Sequence, residues 1–366
     1  MSFNRIPLLG LTLDGLRNVV SEVGMPSFAA RQMAGWLYHK HVTTVDSMTN
    51  LSKAHRERLV EYYEMGRHAP IMSQCSTDGT EKFLFPVYTT KAADTVASGD
   101  DQSDKGHVPA HNRCVESVYI PDGERATLCV SCQVGCRMNC LFCQTGKQGF
   151  SGHLTAGDII NQIASLPQRD KLTNIVFMGQ GEPADNVENV LTAAEILTAD
   201  WGYGWSPRRI TISSVGVPEH TERILRGCEC HIAVSLHSPI AAERRRLVAA
   251  EGAMPIEQTI AMLRQYDWSH QRRLSFEYTV FGGINDTRAH GRALVNLLSG
   301  LDCRINLIRY HRIPDVDLPD TDEQRLLQLR DYLTTHGVFT TIRASRGQDI
   351  DAACGMLNTR HKTSTT

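Results

Sequence analysis

The chain lacks three things that would each have narrowed its role. It has almost no net charge: 38 lysines and arginines stand against 40 aspartates and glutamates, a formal −2 over 366 residues. That balance excludes a generally basic nucleic-acid coat and leaves room only for local positive surface. No apolar run approaches the length of a membrane span, and the start, MSFNRIPLLGLTLDGL, has no basic segment leading into an apolar core and a small-residue cleavage site. A cytoplasmic protein without membrane contact is therefore expected. Finally, no Gly-x-Gly-x-x-Gly turn follows the first strand-like run of the main domain, which argues against a dinucleotide fold.

What is present is 41% hydrophobic residues, enough for one large core with a smaller unit beside it. Eleven cysteines could suggest a secreted disulfide scaffold, but the chain is long, the count is odd and the spacings cluster in one place. Metal or thiol chemistry is the better reading.

Residues 1–75 read as a small helical unit. Ser27 is placed to cap a segment in which Met33, Trp36 and Leu37 recur at helical spacing, and Ser52 to cap a second helix through Leu59 and Tyr62; the aromatics are assigned to core. Residues 76–125 hold two linking strands, KFLFPVY and CVESVYI, around a polar stretch at about 91–112 read as a surface insertion. From 126 to 345, ATLCVS, NIVFMG, RITISS, HIAVSL, LSFEYTV, RINLIR and VFTTIR alternate with helical intervals. That pattern favours an α/β fold with a parallel sheet, a partial or complete β/α barrel. Residues 346–366 form a tail.

Chemistry in such a fold collects where strands end. Cys136, Cys140 and Cys143 follow ATLCVS at spacings of four and three positions. Three thiolates leave one iron of a four-iron cluster open to an external ligand. A zinc site pairing Cys129-x-x-Cys132 with Cys140-x-x-Cys143 is the alternative, although it ignores Cys136 and draws a ligand from within a strand. A purely structural iron–sulfur site is another. Gly181-Glu182-Pro183 follows NIVFMGQ, Ser213 and its neighbour Ser214 end RITISS, and Ser235-Leu236-His237 ends HIAVS. Each can line a ligand pocket or merely satisfy its own turn.

These motifs resemble the radical S-adenosylmethionine enzymes and, more narrowly, the RlmN/Cfr family of RNA adenine methyltransferases. The similarity runs from PSFAARQMAGWLYHKHVTTVDSMTNLSKAHRERL to ASRGQDIDAACG, nearly the whole chain outside the insertion. It implies a radical S-adenosylmethionine partial β/α barrel with a small N-terminal helical domain that helps grip RNA. One [4Fe-4S] cluster would be held by Cys136, Cys140 and Cys143, with S-adenosylmethionine on the open iron and beside Gly181, Glu182, Ser213, Ser235, Leu236 and His237. His311, in INLIRYHRIP, stands where family members usually have Asn, and is kept as a cofactor contact.

The resemblance further implies that Cys354, in RGQDIDAACGML, accepts a methyl group and that Cys129 resolves a protein–RNA intermediate by forming a disulfide with it. Glu116, in CVESVYIP, matches the family's proton acceptor. By themselves these residues read more blandly, Cys354 as a core thiol and Glu116 as an outward carboxylate on an alternating strand. Cys132, where the family often has Ser, receives no role. The implied activity is methylation of adenine C2 in 23S rRNA and tRNA by a monomer served by a flavodoxin-type reductase system. Methylation at adenine C8, or a non-catalytic iron–sulfur RNA-binding protein, are the alternatives. Arg208-Arg209, Arg244-Arg245-Arg246, Arg272-Arg273 and the Arg343–Arg346 stretch would supply local charge for RNA phosphates.

Overall fold

A computed structural model describes residues 5–87, 113–252, 255–268 and 273–359, so the expected insertion at about 91–112 lies outside the described residues. Its centre is a ten-stranded sheet. Strands β1 (Met72–Cys75), β2 (Glu81–Pro86), β3 (Cys114–Asp122) and β4 (Arg125–Cys129) run antiparallel to one another. From β4 the direction is constant through β5 (Asn174–Phe177), β6 (Ile210–Ser214), β7 (His231–Ser235), β8 (Leu274–Val280), β9 (Cys303–Arg309) and β10 (Phe339–Ile342). The spatial order follows the chain order from β1 to β10. All seven strand-like runs from ATLCVS onward are strands of this sheet. Helices cover the parallel part, and β8 is buried at every position although its sequence, LSFEYTV, alternates apolar with polar side chains.

Three helices precede the sheet: α1 (Leu13–Val23), α2 (Ala29–Ala34) and α3 (Lys53–Tyr62). Between β4 and β5 lie a short hairpin, Gln133–Gly135 with Phe150–His153, and the helices α4 (Gln144–Gln148) and α5 (Ala156–Ala164). The later crossovers carry α6 (Val187–Thr198), α7 (Pro218–Gly227), α8 (Ala241–Leu247) with α9 (Ile256–Leu263), α10 (Arg288–Leu298) and α11 (Glu323–Thr335).

Ser52 does cap α3, its side chain accepting the His55 N–H at 3.2 Å. Ser27 does not cap α2, which starts after Phe28 with no side-chain cap bond. Helix α1 escaped the sequence reading although its signals are ordinary ones: a Thr12 cap, a left-handed Gly24 at its end, and Leu16, Val19, Val20 and Val23 on one face. Those side chains join one buried cluster with Met33, Leu59, Ile175, Phe276 and Leu307, so the N-terminal helices and the sheet share a core. Each such large side chain contributes about 1.5–3 kcal/mol by leaving water. Trp36 is only half-buried; its indole N–H donates to Asn50 at 2.5 Å, and Lys40 lies 3.6 Å over its ring.

The sheet does not close on itself: β10 and β1 are its edges. The segment after β10 crosses back toward β1. Gly347 donates its N–H to Asp78 at 3.0 Å, and Asp349 accepts from the Ser76 hydroxyl at 2.5 Å and the Thr77 N–H at 3.1 Å. Among the described residues no helix is long and apolar enough to cross a membrane.

Candidate active site

The cysteine loop is anchored by backbone bonds. Gly135 has φ of +74°, and a Cβ there would sit 1.6 Å from the Gly149 carbonyl, so only glycine fits where the chain enters the loop. Cys136 donates to that carbonyl at 3.1 Å, Cys143 to the Cys140 carbonyl at 3.2 Å, and Leu141 to the carbonyl of Leu247, the last residue of α8, at 2.9 Å. Met138, Leu141 and Phe142 pack on a small apolar cluster of Val215, Leu247, Phe281 and Tyr310.

Burial pushes the Cys136 thiol up to about 12 and the Cys140 thiol well above its usual range, with neighbouring cysteines adding to both; burial raises Cys143 as well. Three half-buried thiols whose thiolates would repel one another ionise together most readily when a cation joins them, which suits an iron–sulfur ligand set. Among the described residues no three His, Cys, Asp or Glu side chains are gathered as ligands of a single metal ion. The cysteines of the alternative zinc pair point to different places: Cys132 belongs to the main core, whereas Cys129 belongs to a separate group with Val118, Ala352 and Leu357.

Glu182 sits at the end of the turn after β5. Gly181 has φ of +101°, and a Cβ on it would come within 2.6 Å of Gln133. The Gln133 side-chain oxygen accepts the Glu182 N–H at 2.9 Å. The Glu182 carboxylate accepts the N–H groups of Ala184 at 3.0 Å and Val215 at 2.9 Å, yet burial outweighs these bonds and raises it to about 7. It is also an electrostatic neighbour of Cys136 and Cys140. Ser214 is buried, 3.3 Å from the Thr221 hydroxyl and accepting the Gly216 N–H at 3.0 Å, and its side chain also hydrogen-bonds the Glu182 carboxylate. Ser213 and Ser235 are the half-buried members at the two strand ends.

The Leu236 side chain is core, its N–H donates to the Glu277 carbonyl and its own carbonyl accepts from Arg244. His237 takes φ of +55°, accepts the Thr279 N–H on Nδ1 at 3.0 Å and meets the Phe142 ring edge-on at 4.7 Å. Burial, reinforced by Arg244, lowers it to about 3, so the ring is neutral at pH 7 and carries its proton on Nε2. His311 is buried at the junction of two cavities. One, of about 400 Å³, is also lined by Tyr310, Arg312 and Gln348; the other, of about 250 Å³, by Arg343, Arg346 and Cys354.

Arg244 was expected to face RNA, but it is 1% exposed. Its guanidinium donates to the carbonyls of Val215 at 2.8 Å and of Ser235 and Leu236 at 2.9 Å each, and pairs with the buried Glu251. It therefore ties the ends of β6 and β7 to α8, the helix that also holds Leu141 of the cysteine loop. Nothing in an Arg-Arg-Arg run marks its first member beyond its helical spacing from Leu247. Arg208, Arg245 and Arg246 are exposed, and Arg272 lies outside the described residues.

The tail brings Cys354 to this loop. Gln144 donates its N–H to the Gly355 carbonyl at 2.7 Å, the Thr145 hydroxyl donates to the Leu357 carbonyl at 2.8 Å, and Gln148 exchanges bonds with Thr359 at 2.8 and 3.0 Å. Cys354 is exposed and Cys129 buried. Burial first, then Cys354, pushes the Cys129 thiol up to about 12, while Arg343 pulls the other way. Cys354 is an electrostatic neighbour of Cys143 too. Glu116 is 1% exposed, which overturns the outward-carboxylate reading: the first six residues of β3 are all buried, so alternation fails there. Its carboxylate accepts the Asn358 N–H at 2.8 Å. All eleven cysteines are free thiols.

Residues 130–291 match the radical SAM superfamily, and residues 6–65 match the ribosomal RNA large subunit methyltransferase N-terminal domain. Barrel and cysteine loop thus define a radical S-adenosylmethionine protein. The chain is 55% identical over 356 residues to the "Probable dual-specificity RNA methyltransferase RlmN" of Bacteroides thetaiotaomicron, covering 97% of each. It is 38% identical over 358 residues to the "Dual-specificity RNA methyltransferase RlmN" of Halorhodospira halophila, covering 96% of this chain and 93% of that one. The crystal structure of a radical SAM methyltransferase from Sphaerobacter thermophilus superposes with a TM-score of 0.85 at 34% identity, covering 97% of this chain and 99% of the other. The chain belongs to the RlmN/Cfr family of radical S-adenosylmethionine RNA methyltransferases.

Proposed function

We infer that this enzyme methylates C2 of adenine in 23S rRNA and tRNA, using two molecules of S-adenosylmethionine for each methyl delivered. The reading is carried by one observation: the tail sets Cys354 beside Cys129 at the cysteine loop, two sulfurs that metal binding alone does not need. Cys136, Cys140 and Cys143 would hold a four-iron cluster with one iron left open. Such a cluster supplies the electron that opens S-adenosylmethionine to a 5′-deoxyadenosyl radical.

The remaining work falls to side chains. The Glu182 carboxylate would receive the cofactor's ammonium group, and Ser213, Ser235 and His311 would line its path. Gly181 lets the chain turn there, and His237 acts through the strand ends it buttresses. Cys354 accepts a methyl group on sulfur and presents that carbon to the base. Adenine C2 carries no acidic proton, so radical addition rather than simple deprotonation suits it. Glu116 takes the C2 proton from the joined species. Cys129 then attacks the Cys354 sulfur, the bond from that sulfur to the transferred carbon breaks toward the base, that carbon takes up a proton to become the methyl group, and a disulfide remains. The hydrogen removed earlier from the S-methyl group would leave in 5′-deoxyadenosine, and the adduct's unpaired electron would return to the cluster. An external reductant, of the flavodoxin class for the electron and a thiol system for the disulfide, resets the monomer. The helices of residues 1–75 grip RNA shape, and the target base leaves its stack to reach the pocket.

The test follows isotopically labelled S-adenosylmethionine by mass spectrometry of RNA and of the Cys354 peptide. Cys354→Ala should retain iron yet lose S-methylcysteine and RNA methylation, and Cys129→Ala should be methylated at Cys354 and accumulate an RNA adduct. Normal turnover by either variant would sink the two-cysteine scheme, and a methyl found only at C8 would move the assignment to that position.

A further inference from the structure

The site has a polar support of which the reaction scheme uses only one member, Glu116. Lys82 on β2 is 3% exposed, Glu116 on β3 is 1% exposed, and their charged atoms lie 3.5 Å apart. Lys82 Nζ also donates to the carbonyl of Ile350 and, at 3.3 Å, to that of Asp351. The other Glu116 oxygen accepts the Asn358 N–H at 2.8 Å. One buried ion pair therefore grips the tail on both sides of Cys354. An ammonium, with three donors and no acceptor, matches a carboxylate and two carbonyls. Buried without them it would be strongly disfavoured, so its presence here reflects the position it enforces.

The gripped segment supports itself only through short turns, such as the Ala352 N–H to Gly347 carbonyl bond at 2.8 Å and the Met356 N–H to Ala353 carbonyl bond at 3.0 Å. Gly347, Asp351 and Gly355 have φ of +61°, +53° and +84°, and Asp351 pays for a left-handed conformation that glycine adopts freely. Its apolar attachment is small, Ala352 and Leu357 against Val118 and Cys129.

We propose that Lys82 is a positioning residue of this enzyme, clamping the tail together with Glu116 so that Cys354 is presented to Cys129 and to the cysteine loop. The proposal rests on Cys354 being the methyl carrier. Because Glu116 is also the proton acceptor, Lys82 ties the placement of the carrier to the group that completes its reaction.

The experiment compares the full chain, loaded anaerobically with its cluster, with Lys82→Met, Lys82→Gln and Lys82→Arg. Amide hydrogen exchange, 5′-deoxyadenosine formation and RNA methylation are measured on each. Lys82→Met and Lys82→Gln should speed exchange of the amides from Asp351 to Thr359 about tenfold and cut RNA turnover about tenfold, while protection of β6–β9 and cofactor cleavage stay within about twofold. Lys82→Arg should recover most of both losses. If Lys82→Met does not fold, Lys82→Gln decides. Tail exchange and RNA turnover both within about twofold of the unmodified chain would overturn the clamp, as would cofactor cleavage lost in step with RNA turnover, which marks a general structural role. Should the unmodified chain methylate no RNA, the proposed function fails while tail exchange still decides the clamp.

Discussion

The loop from Cys136 to Cys143 and the tail from Gly347 to Thr359 reach the same place by different means. The loop is bonded backbone to backbone into the barrel, at Gly149 and Leu247, and packs on an apolar cluster. The tail is held mainly by side chains, those of Asp78, Lys82, Glu116, Thr145 and Gln148, with little apolar contact. Hydrogen bonds of this kind contribute about 1 kcal/mol each net, more where a charged group takes part, and they can be released one after another without opening the apolar core of the barrel. The difference fits the two jobs. In the proposed reaction a cluster ligand would have to stay still, whereas a sulfur meeting first a methyl donor and then a base would have to sit on a segment able to move.

Breaking the loop should have the largest effect. Replacing Cys136, Cys140 or Cys143 with Ala should abolish iron binding and cofactor cleavage, read by iron analysis and 5′-deoxyadenosine formation. Tail exchange should stay unchanged, because the tail's hydrogen bonds do not use those side chains. Coupled loss of tail protection would show that the two segments are one unit.

A smaller but still large effect is expected at the support behind the loop. Arg244→Met strands the buried Glu251 carboxylate and frees three carbonyls, and should cost about 3–5 kcal/mol in denaturant unfolding. The neighbouring Arg245→Met, at an exposed position, should stay within about 0.5 kcal/mol. Equal effects would contradict the burial of Arg244.

The mildest probe is pH. His237 titrates at about 3 in the folded chain against 6.5 when unfolded, so its contribution is fully present above pH 6.5 and is lost as pH falls toward 3. The slope is about 1.4 kcal/mol per pH unit for one proton. Asp78, which anchors Gly347, is lowered to about 2: its burial opposes ionisation, but bonds from Thr80, Gly347 and Ser76 prevail. Its contribution is present above 3.8 and lost only toward 2. Between pH 6.5 and 4 the loss at His237 is opposed by Glu182, raised to about 7, which stabilises the fold as it takes up a proton. In a Glu182→Gln background the barrel should therefore lose stability while this anchor of the tail holds, measured by exchange of the two segments. Loosening of the tail first would reverse the comparison.

Much of this was legible in the sequence. Seven runs became seven strands because β-branched and apolar residues recurring along each run fit a sheet with at least one buried face. The cysteine spacing was readable because three ligands from one loop need only local geometry. Helix α1 was readable and passed over. Arg244 and Glu116 were not: a charged residue in a run of arginines, or on a strand that looks alternating, carries no local mark of being buried against a distant partner.

By itself, then, the sequence determined the barrel's strands, the triad in its loop and, through resemblance, the family. Only the tertiary structure decided which charges are internal, that Cys129 and Cys132 part company, and that Lys82 and Glu116 hold the tail. Cys129 and Cys354 are 225 residues apart in the chain. What brings them together is an open sheet edge crossed by a strap of side-chain hydrogen bonds, and such long-range pairing depends on where whole elements pack.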